Sequence, residues 1–560
     1  MTPPVTPWHW LAAVAPVIAL FVLVTSGRVK TRTASVLVAA LTALLAFAVF
    51  GAGPGTLGVA FGKGLWLGSW ILYVVFPAML LYRIAERGGL DRIGELFAHL
   101  FPNRSENLLV LAWLLPSFVQ GVAGFGTPIA VAAPLLAASG WRRERAVAYP
   151  LIGYHWSVTF GSMGSSYYMA ELTAHLSPSA GVVFAHHAAL LLGVNCLVAG
   201  ALVLLFDGGV RGLRDGVPLL LVAGVPMAAT LYGVTSVVPA VGSVAAGAVG
   251  FACALGLSAV TRLRERSAHA SVVEERAPSV VEESELARPS RNHPSASGGT
   301  AVATLDAPSD DPASRRRAVW LVSPYLYLLG IALLVLLIPP SRAWAESHLV
   351  WGPSFPATTT GLGWQAPAVS GYTPLKLLTH PGSYLLVACL LGYLTYRAVG
   401  LWRRRPAVEL AKAWLSSVQS TAISIVALAC VTDVMIDSGM ISTLARGVVA
   451  ATGAGYPALS GLIGGLGSFL TGSTTSSNAL LASLQAEVAG LLHVPATVLL
   501  AAQTAGANVG NSVAPVVVLI GISAVGGGFR PQAVLRIVLV AAGVLMAVVT
   551  ALTLALVWLV

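Results

Sequence analysis

Charge is what this chain has least of. Lys, Arg, Asp and Glu make up 10% of its 560 residues, against 56% hydrophobic ones, which excludes an ordinary soluble domain, where about a quarter of the residues are charged. Cysteine is nearly absent: Cys196, Cys253, Cys389 and Cys430 each sit in an apolar stretch, without CxxC or Cys/His spacing. That pattern speaks against a disulfide framework, a redox pair or a metal site and leaves small buried hydrophobes. The chain has no Walker-type phosphate loop, which argues against an ATP-driven pump. It has no His/Asp/Glu cluster at ligand spacing either, so no metal, no cofactor and no enzymatic centre is expected. A basic n-region is missing ahead of the first apolar stretch, Trp10 to Val24, which therefore reads as a retained span.

What is present is a succession of apolar runs of 18 or more residues, each long enough to cross roughly 30 Å of hydrocarbon. Twelve spans are expected, near 8–26, 34–58, 64–83, 147–170, 180–206, 217–239, 241–261, 319–339, 380–400, 408–435, 496–524 and 533–559. The net charge of +10 does not mark a nucleic-acid surface, because the basic residues fall in short loops between spans. With the N-terminus outside, inside loops hold 28 Lys and Arg and outside segments four: Lys63, Arg342, Lys376 and Arg446. This is the positive-inside pattern. It predicts an all-α multi-pass protein of the plasma (inner) membrane, with the lipid bilayer as partner, both termini outside and the 262–317 loop cytoplasmic.

One passage occurs twice. Ser117-Phe118-Val119-Gln120-Gly121 runs into Gly124-Phe125-Gly126-Thr127-Pro128, and Ser468-Phe469-Leu470-Thr471-Gly472 runs into Ser473-Thr474-Thr475-Ser476-Ser477-Asn478. The frame repeats as well: Lys63-Gly64-Leu65-Trp66 corresponds to Lys412-Ala413-Trp414, and Gly161-Ser162 to Gly510-Asn511. Duplicated blocks whose apolar segments are broken by Gly, Ser, Thr and Pro point to a transporter's midplane binding site. The segment 106–138 is flanked by arginines at both ends, as expected of a helical hairpin that enters and leaves on the cytoplasmic side. The segment 456–492 has charge-poor flanks, as expected outside. An odd number of intervening spans inverts the second copy, so the expected plan is an inverted repeat: 1–206 with the hairpin 106–138, two linking helices in 207–261, a disordered linker at 262–317, and 318–560 with the hairpin 456–492.

Non-helical backbone at membrane depth persists only where it is buried in protein or lines a wet cavity. The tips Gln120, Gly121, Gly124, Phe125, Gly126 and Thr127, and Thr471, Ser473, Thr474, Thr475, Ser476 and Asn478, are therefore candidate binding residues. Hydroxyls and half-helix N-termini there would serve a small carboxylate bearing a hydroxyl. Broken spans follow each hairpin and would complete the walls. The first contributes Tyr154, His155 and the run Gly161-Ser162-Met163-Gly164-Ser165-Ser166; the second contributes Gln503, Gly506, Asn508, Gly510 and Asn511. Helix packing is the plainer use of such small residues, but two copies at matching places favour a site. Acids near the membrane are few, and each calls for an explanation. Asp433 is the deepest and the first candidate for a proton carrier, with His155 the second. Glu171, Asp437 and Glu487 fall near span ends, where solvent exposure is expected, and no basic residue is placed at mid-depth.

The runs Gly121 to Pro134 and Gly467 to Leu480, with Ser438 to Leu444 and Ala502 to Pro515, resemble the L-lactate permease family over nearly the whole chain outside 262–317. The resemblance implies uptake of lactate and related 2-hydroxymonocarboxylates such as glycolate by proton symport, paired re-entrant hairpins and an elevator-type movement. The chain departs from the family pattern in carrying neutral Gln120, Thr474 and Asn511 where charged residues are usual. A sodium-coupled carboxylate transporter is the rival reading, and a homodimer is an open alternative for assembly.

Overall fold

The computed structural model describes residues 6–26, 28–89, 101, 103–124, 126–275, 312–402 and 406–559. Phe125 and the core of the expected linker, 276–311, lie outside these residues. Apart from two small sheets, the described chain is helical throughout, as its apolar runs dictate.

Helices α1 (Pro7–Thr25), α2 (Thr31–Phe50) and α3 (Pro54–Gly88) come first. The first hairpin follows, with α4 (Arg104–Leu109), a π-helical turn at Val110–Leu114 and α5 (Leu115–Val122) forming one arm, and α6 (Thr127–Ala138) the other. Its arms pack together. Helix α7 (Arg143–Gly153) ends in two 3-10 turns, His155–Ser157 and Ser162–Gly164, before α8 (Ser165–Thr173). The segment expected as a span at 147–170 is therefore broken at its centre, where Ser162, Met163 and Gly164 all have positive φ.

Helix α9 (Pro178–Thr235) is 58 residues of helix interrupted at Gly209, with φ 59° and ψ −146°. It is two antiparallel arms, since Gly200 lies against Leu220, Gly216 against Leu204 and Gly224 against Leu197. Helix α10 (Gly242–Glu275) runs into the segment read from sequence as linker, and α11 (Pro312–Leu336) leaves it. A sharp 88° bend separates α11 from α12 (Pro339–Ser347). The loop that follows α12, the outer loop of the expected topology, forms two antiparallel pairs, β1 (Val350–Trp351) with β4 (Leu375–Lys376) and β2 (Thr358–Thr359) with β3 (Gln365–Ala366), in the registers Val350↔Lys376 and Thr358↔Ala366.

The chain continues with α13 (Pro381–Ala398), α14 (Ala407–Asp437), α15 (Met440–Thr452), then a hairpin of α16 (Tyr456–Thr471) and α17 (Thr474–Leu492). Ser477 donates to the Gly464 carbonyl and Ser460 to Gln485, which fixes the two arms antiparallel. Helices α18 (Ala496–Ser512) and α19 (Pro515–Ala524) meet at a 42° bend, and α20 (Pro531–Leu559) closes the chain. Among the described residues, seven helices are long and apolar enough to cross a membrane, or nine if each bent pair counts as one. Their outward faces carry exposed leucine, valine and phenylalanine, such as Leu44, Phe47 and Leu539. Apolar residues facing outward on long apolar helices are what a lipid solvent selects, so the chain is a multi-pass membrane protein.

Helices α3 and α14, which occupy matching places in the repeat, pack along each other, and Gly64 admits the Cys430 backbone. This pairing ties the two halves together. It also buries Lys63 and Asp437 against each other, correcting the expectation that Asp437 is solvent-exposed. Glu171 and Glu487 are half-buried.

Candidate functional site

Each hairpin turns on a left-handed residue, Gly126 at φ 86° and Gly472 at φ 67°, a conformation that costs a Cβ-bearing residue free energy. The turns release the N-termini of α6 and α17 at the same place. The chain breaks at Ser162–Gly164 and at Val513–Ala514 do the same for α8 and α19. One small cavity results, lined by Gln120, Gly126, Ser162, Ser165 and Ser166 from the first half and by Gly472, Ser473, Thr474, Thr475 and Asn511 from the second, with Val158 and Val517. It offers about 30 Å³ to the centres of water-sized molecules, room for only a few heavy atoms.

The N-terminal ends of α8, α17 and α19, and Gly126 just before α6, line this recess. A helix N-terminus carries roughly half a positive charge, although Pro128 and Pro515 offer no N–H at the starts of α6 and α19. Ser473 caps α17 by accepting from the Ser476 amide at 3.2 Å. Among the described lining residues there is no Lys, Arg, Asp or Glu, so positive potential comes from the backbone alone. Thr474 Oγ1 and Asn511 Oδ1 are buried on this wall with no partner in the protein. Buried polar atoms are normally bonded, so these two unpartnered atoms set this wall apart. Gln120, Thr474 and Asn511, the positions where charge is absent, all line it.

Behind the wall a chain of hydrogen bonds joins the halves. Asn478 donates to the Ser166 carbonyl at 2.8 Å and to Thr504 Oγ1 at 2.9 Å. Thr504 is 3.0 Å from Thr159 Oγ1, which donates to Asn508 at 2.9 Å. Since the single Thr159 proton goes to Asn508, Thr159 accepts from Thr504. Thr159 and Asn508, in contact here, lie 349 residues apart in the chain. Thr475 bonds Ser166 at 2.8 Å, and Gly124 donates its amide to Ser162 at 2.8 Å.

Of the residues expected from sequence, Gln120, Gly126, Ser473, Thr474, Thr475 and Asn511 reach the cavity wall. Gly124, Asn478, Gln503 and Asn508 support it from behind; Gln503 donates to Asn478 at 3.4 Å. Thr127 and Ser476 are buried in the opening turns of α6 and α17, and Thr471 bonds the Gly467 and Ser473 carbonyls. Gly121 faces Val244 of α10. Tyr154 and His155 are buried away from the lining, and His155 donates through Nδ1 to the Ile152 carbonyl at 2.8 Å. Gly506 and Gly510, expected as pocket wall, instead face the α16 backbone. Asp433 lies outside the recess, where it accepts from Tyr372 at 3.0 Å. Tyr372 comes from the loop between α12 and α13, 61 residues before Asp433.

A family model described as L-lactate permease matches residues 9–560. The glycolate permease GlcA of Escherichia coli strain K12 is 27% identical over 537 residues, covering 92% of this chain and 90% of that protein. An L-lactate permease of Streptococcus iniae is 26% identical over 447 residues, covering 77% and 80%. Among solved structures, the Alcanivorax borkumensis YdaH transporter aligns over 93% of this chain and 97% of its own at 16% identity and a TM-score of 0.48, too distant to bear on fold or function.

Proposed function

The chain belongs to the L-lactate permease family, and on that premise we propose that it is a secondary active transporter importing L-lactate or related 2-hydroxymonocarboxylates, D-lactate and glycolate among them, across the plasma membrane by proton symport. The observation that carries the reading is the recess where helix N-termini from both halves converge without a basic side chain. A monocarboxylate suits that potential. Its 2-hydroxyl pairs with the amide of Asn511 and the hydroxyl of Thr474, both otherwise unpartnered at Oδ1 and Oγ1. The curated relatives named as lactate and glycolate permeases support the same substrate class.

The two hairpins are re-entrant in this reading. Helix α6 has 12 residues, about 18 Å at 1.5 Å per residue, short of roughly 30 Å of hydrocarbon. An elevator-type movement then carries the recess between faces, with both termini outside and the 262–317 loop cytoplasmic. Asp433 is the proton carrier; His155, bonded to its own helix end, is the second candidate.

In proteoliposomes, an inward proton gradient is expected to drive accumulation of L-lactate and glycolate, a protonophore to abolish it, and sodium removal to leave it intact. Accumulation that follows sodium and ignores the protonophore would transfer the reading to the sodium-coupled alternative.

Thr474→Val gives a second test. Its Oγ1 bonds nothing in the protein, so the substitution loses no internal hydrogen bond and stability should hold. A hydrogen bond between two neutral hydroxyls contributes about 0.5–1.5 kcal/mol, so KM should rise roughly two- to tenfold. An unchanged KM for both substrates would remove Thr474 from the site.

A further inference from the structure

Three charged side chains are buried together outside the recess. Lys63 on α3 donates to both oxygens of Asp437 on α14, at 2.9 and 2.8 Å, with the two side chains 6% and 3% exposed. Asp433 lies one helical turn before Asp437, on the same face of α14, and is 2% exposed. Its Oδ1 accepts from Tyr372, while its Oδ2 has no partner. With every group ionised the triad carries one net negative charge, which a low-dielectric interior strongly disfavours. One proton on Oδ2 of Asp433 cancels that charge and gives the orphaned atom its missing function.

The cluster is connected on two sides. Tyr372 and His175 line a vestibule of about 560 Å³ beneath the outer loop, which Glu171 and His380 also border. The His175 and Tyr372 rings are 5.9 Å apart, and His175 lies within electrostatic reach of Lys63. Inward, the Thr432 hydroxyl beside Asp433 bonds the Ala479 carbonyl, and Ala479 follows Asn478, which braces the recess. The ionisable groups facing Asp433 are thus Lys63 from α3, Asp437 and the Cys430 thiol from α14, and Tyr372 from the outer loop, with His175 beyond Tyr372. Among the described residues no group of three or more His, Cys, Asp and Glu side chains could hold a metal ion. A proton needs only the single free oxygen.

We propose that the Lys63–Asp433–Asp437 triad is the coupling site of the transporter. Asp433 takes a proton on Oδ2 from the vestibule and gives it up from the same atom on the cytoplasmic side, and Lys63, by neutralising Asp437, sets the number at one per transported anion. This rests on the transporter reading above. It adds Lys63 and Asp437, and a stoichiometry that follows from net charge.

The test is the full-length protein in proteoliposomes, with a trapped pH dye reading proton flux and radiolabelled L-lactate or glycolate reading counterflow. The wild type should move one proton per anion. Asp433→Asn should retain counterflow within about tenfold of wild type but move no proton. Lys63→Met leaves Asp437 without its neutralising partner and should raise the number of protons moved per anion above one. Tyr372→Phe removes one hydrogen bond to the carboxylate and should raise its proton affinity about tenfold, moving the pH profile of uptake up by about one unit.

Proton flux surviving in Asp433→Asn, or a ratio that stays at one proton per anion in Lys63→Met, would overturn the proposal. If Asp433→Asn does not fold, an unshifted Tyr372→Phe profile overturns it equally. Sodium flux in place of proton flux would overturn it as well. A wild type with no counterflow of either anion would instead fell the transporter reading itself.

Discussion

Gly124→Val is expected to abolish uptake, by roughly a hundredfold or more, in a protein that still inserts and purifies intact. A Cβ at Gly124 would lie 2.3 Å from Ser162 Oγ and 2.9 Å from Gln120 Nε2, both on the recess wall. Ser162 cannot yield easily, because it and Met163 are already held at φ 47° and 55°, positions that cost non-glycine residues of order 1–3 kcal/mol each. The valine must therefore displace the wall and break the Gly124–Ser162 bond. A hundredfold loss corresponds to about 2.7 kcal/mol, within the usual cost of overpacking. The clash is confined to an unwound tip, so the helices should still assemble. Uptake within threefold of wild type, at equal membrane abundance, would remove the first hairpin tip from the site.

The second large effect falls on folding itself. Gly506→Val should yield no monodisperse protein. Its Cβ would sit 1.9 Å from the Gly461 carbonyl oxygen; a Cβ at Gly510 would sit 2.0 Å from that of Gly465, and one at Gly464 would sit 2.0 Å from that of Gln503. Gly461 and Gly465 on α16, and Gly506 and Gly510 on α18, form two small-xxx-small faces that let the backbones touch. Because the obstacle is backbone, no rotamer change relieves it, and the helices must separate by about 1.5 Å to regain van der Waals distance. Helix α18 carries Thr504, Asn508 and Asn511, so that separation also dismantles the layer joining the halves. The expected cost exceeds the roughly 1–3 kcal/mol of ordinary overpacking. A monodisperse Gly506→Val protein with the wild-type melting temperature would contradict the packing described here.

These two glycines show what a sequence carries and what it leaves to tertiary structure. Hairpin tips are locally encoded: Gly126-Thr127-Pro128 and Gly472-Ser473-Thr474 each combine a turn residue with a helix start, so their place was legible before any fold was known. That both tips meet was legible from the repeat. Gly506 and Gly510 look the same as tip glycines in one dimension, and only their contact with α16 separates packing from pocket. Lys63 and Asp437 are 374 residues apart, and nothing local marks them as partners. Each sits near the end of an apolar run, where solvent exposure was the natural reading. Tyr372 reaches Asp433 from a loop 61 residues away in the chain, and again nothing local marks the two as partners. The recess itself is built mainly from backbone dipoles and hydroxyls, which sequence patterns place but do not orient.

The most direct test of the account is equilibrium binding of radiolabelled L-lactate and glycolate to the purified protein, with Thr474→Val and Gly124→Val measured alongside. Saturable binding to the wild type is predicted, weakened roughly two- to tenfold in Thr474→Val and lost in Gly124→Val while both variants remain folded. Binding of equal affinity in all three proteins would contradict the claim that the two hairpin tips form the anion site.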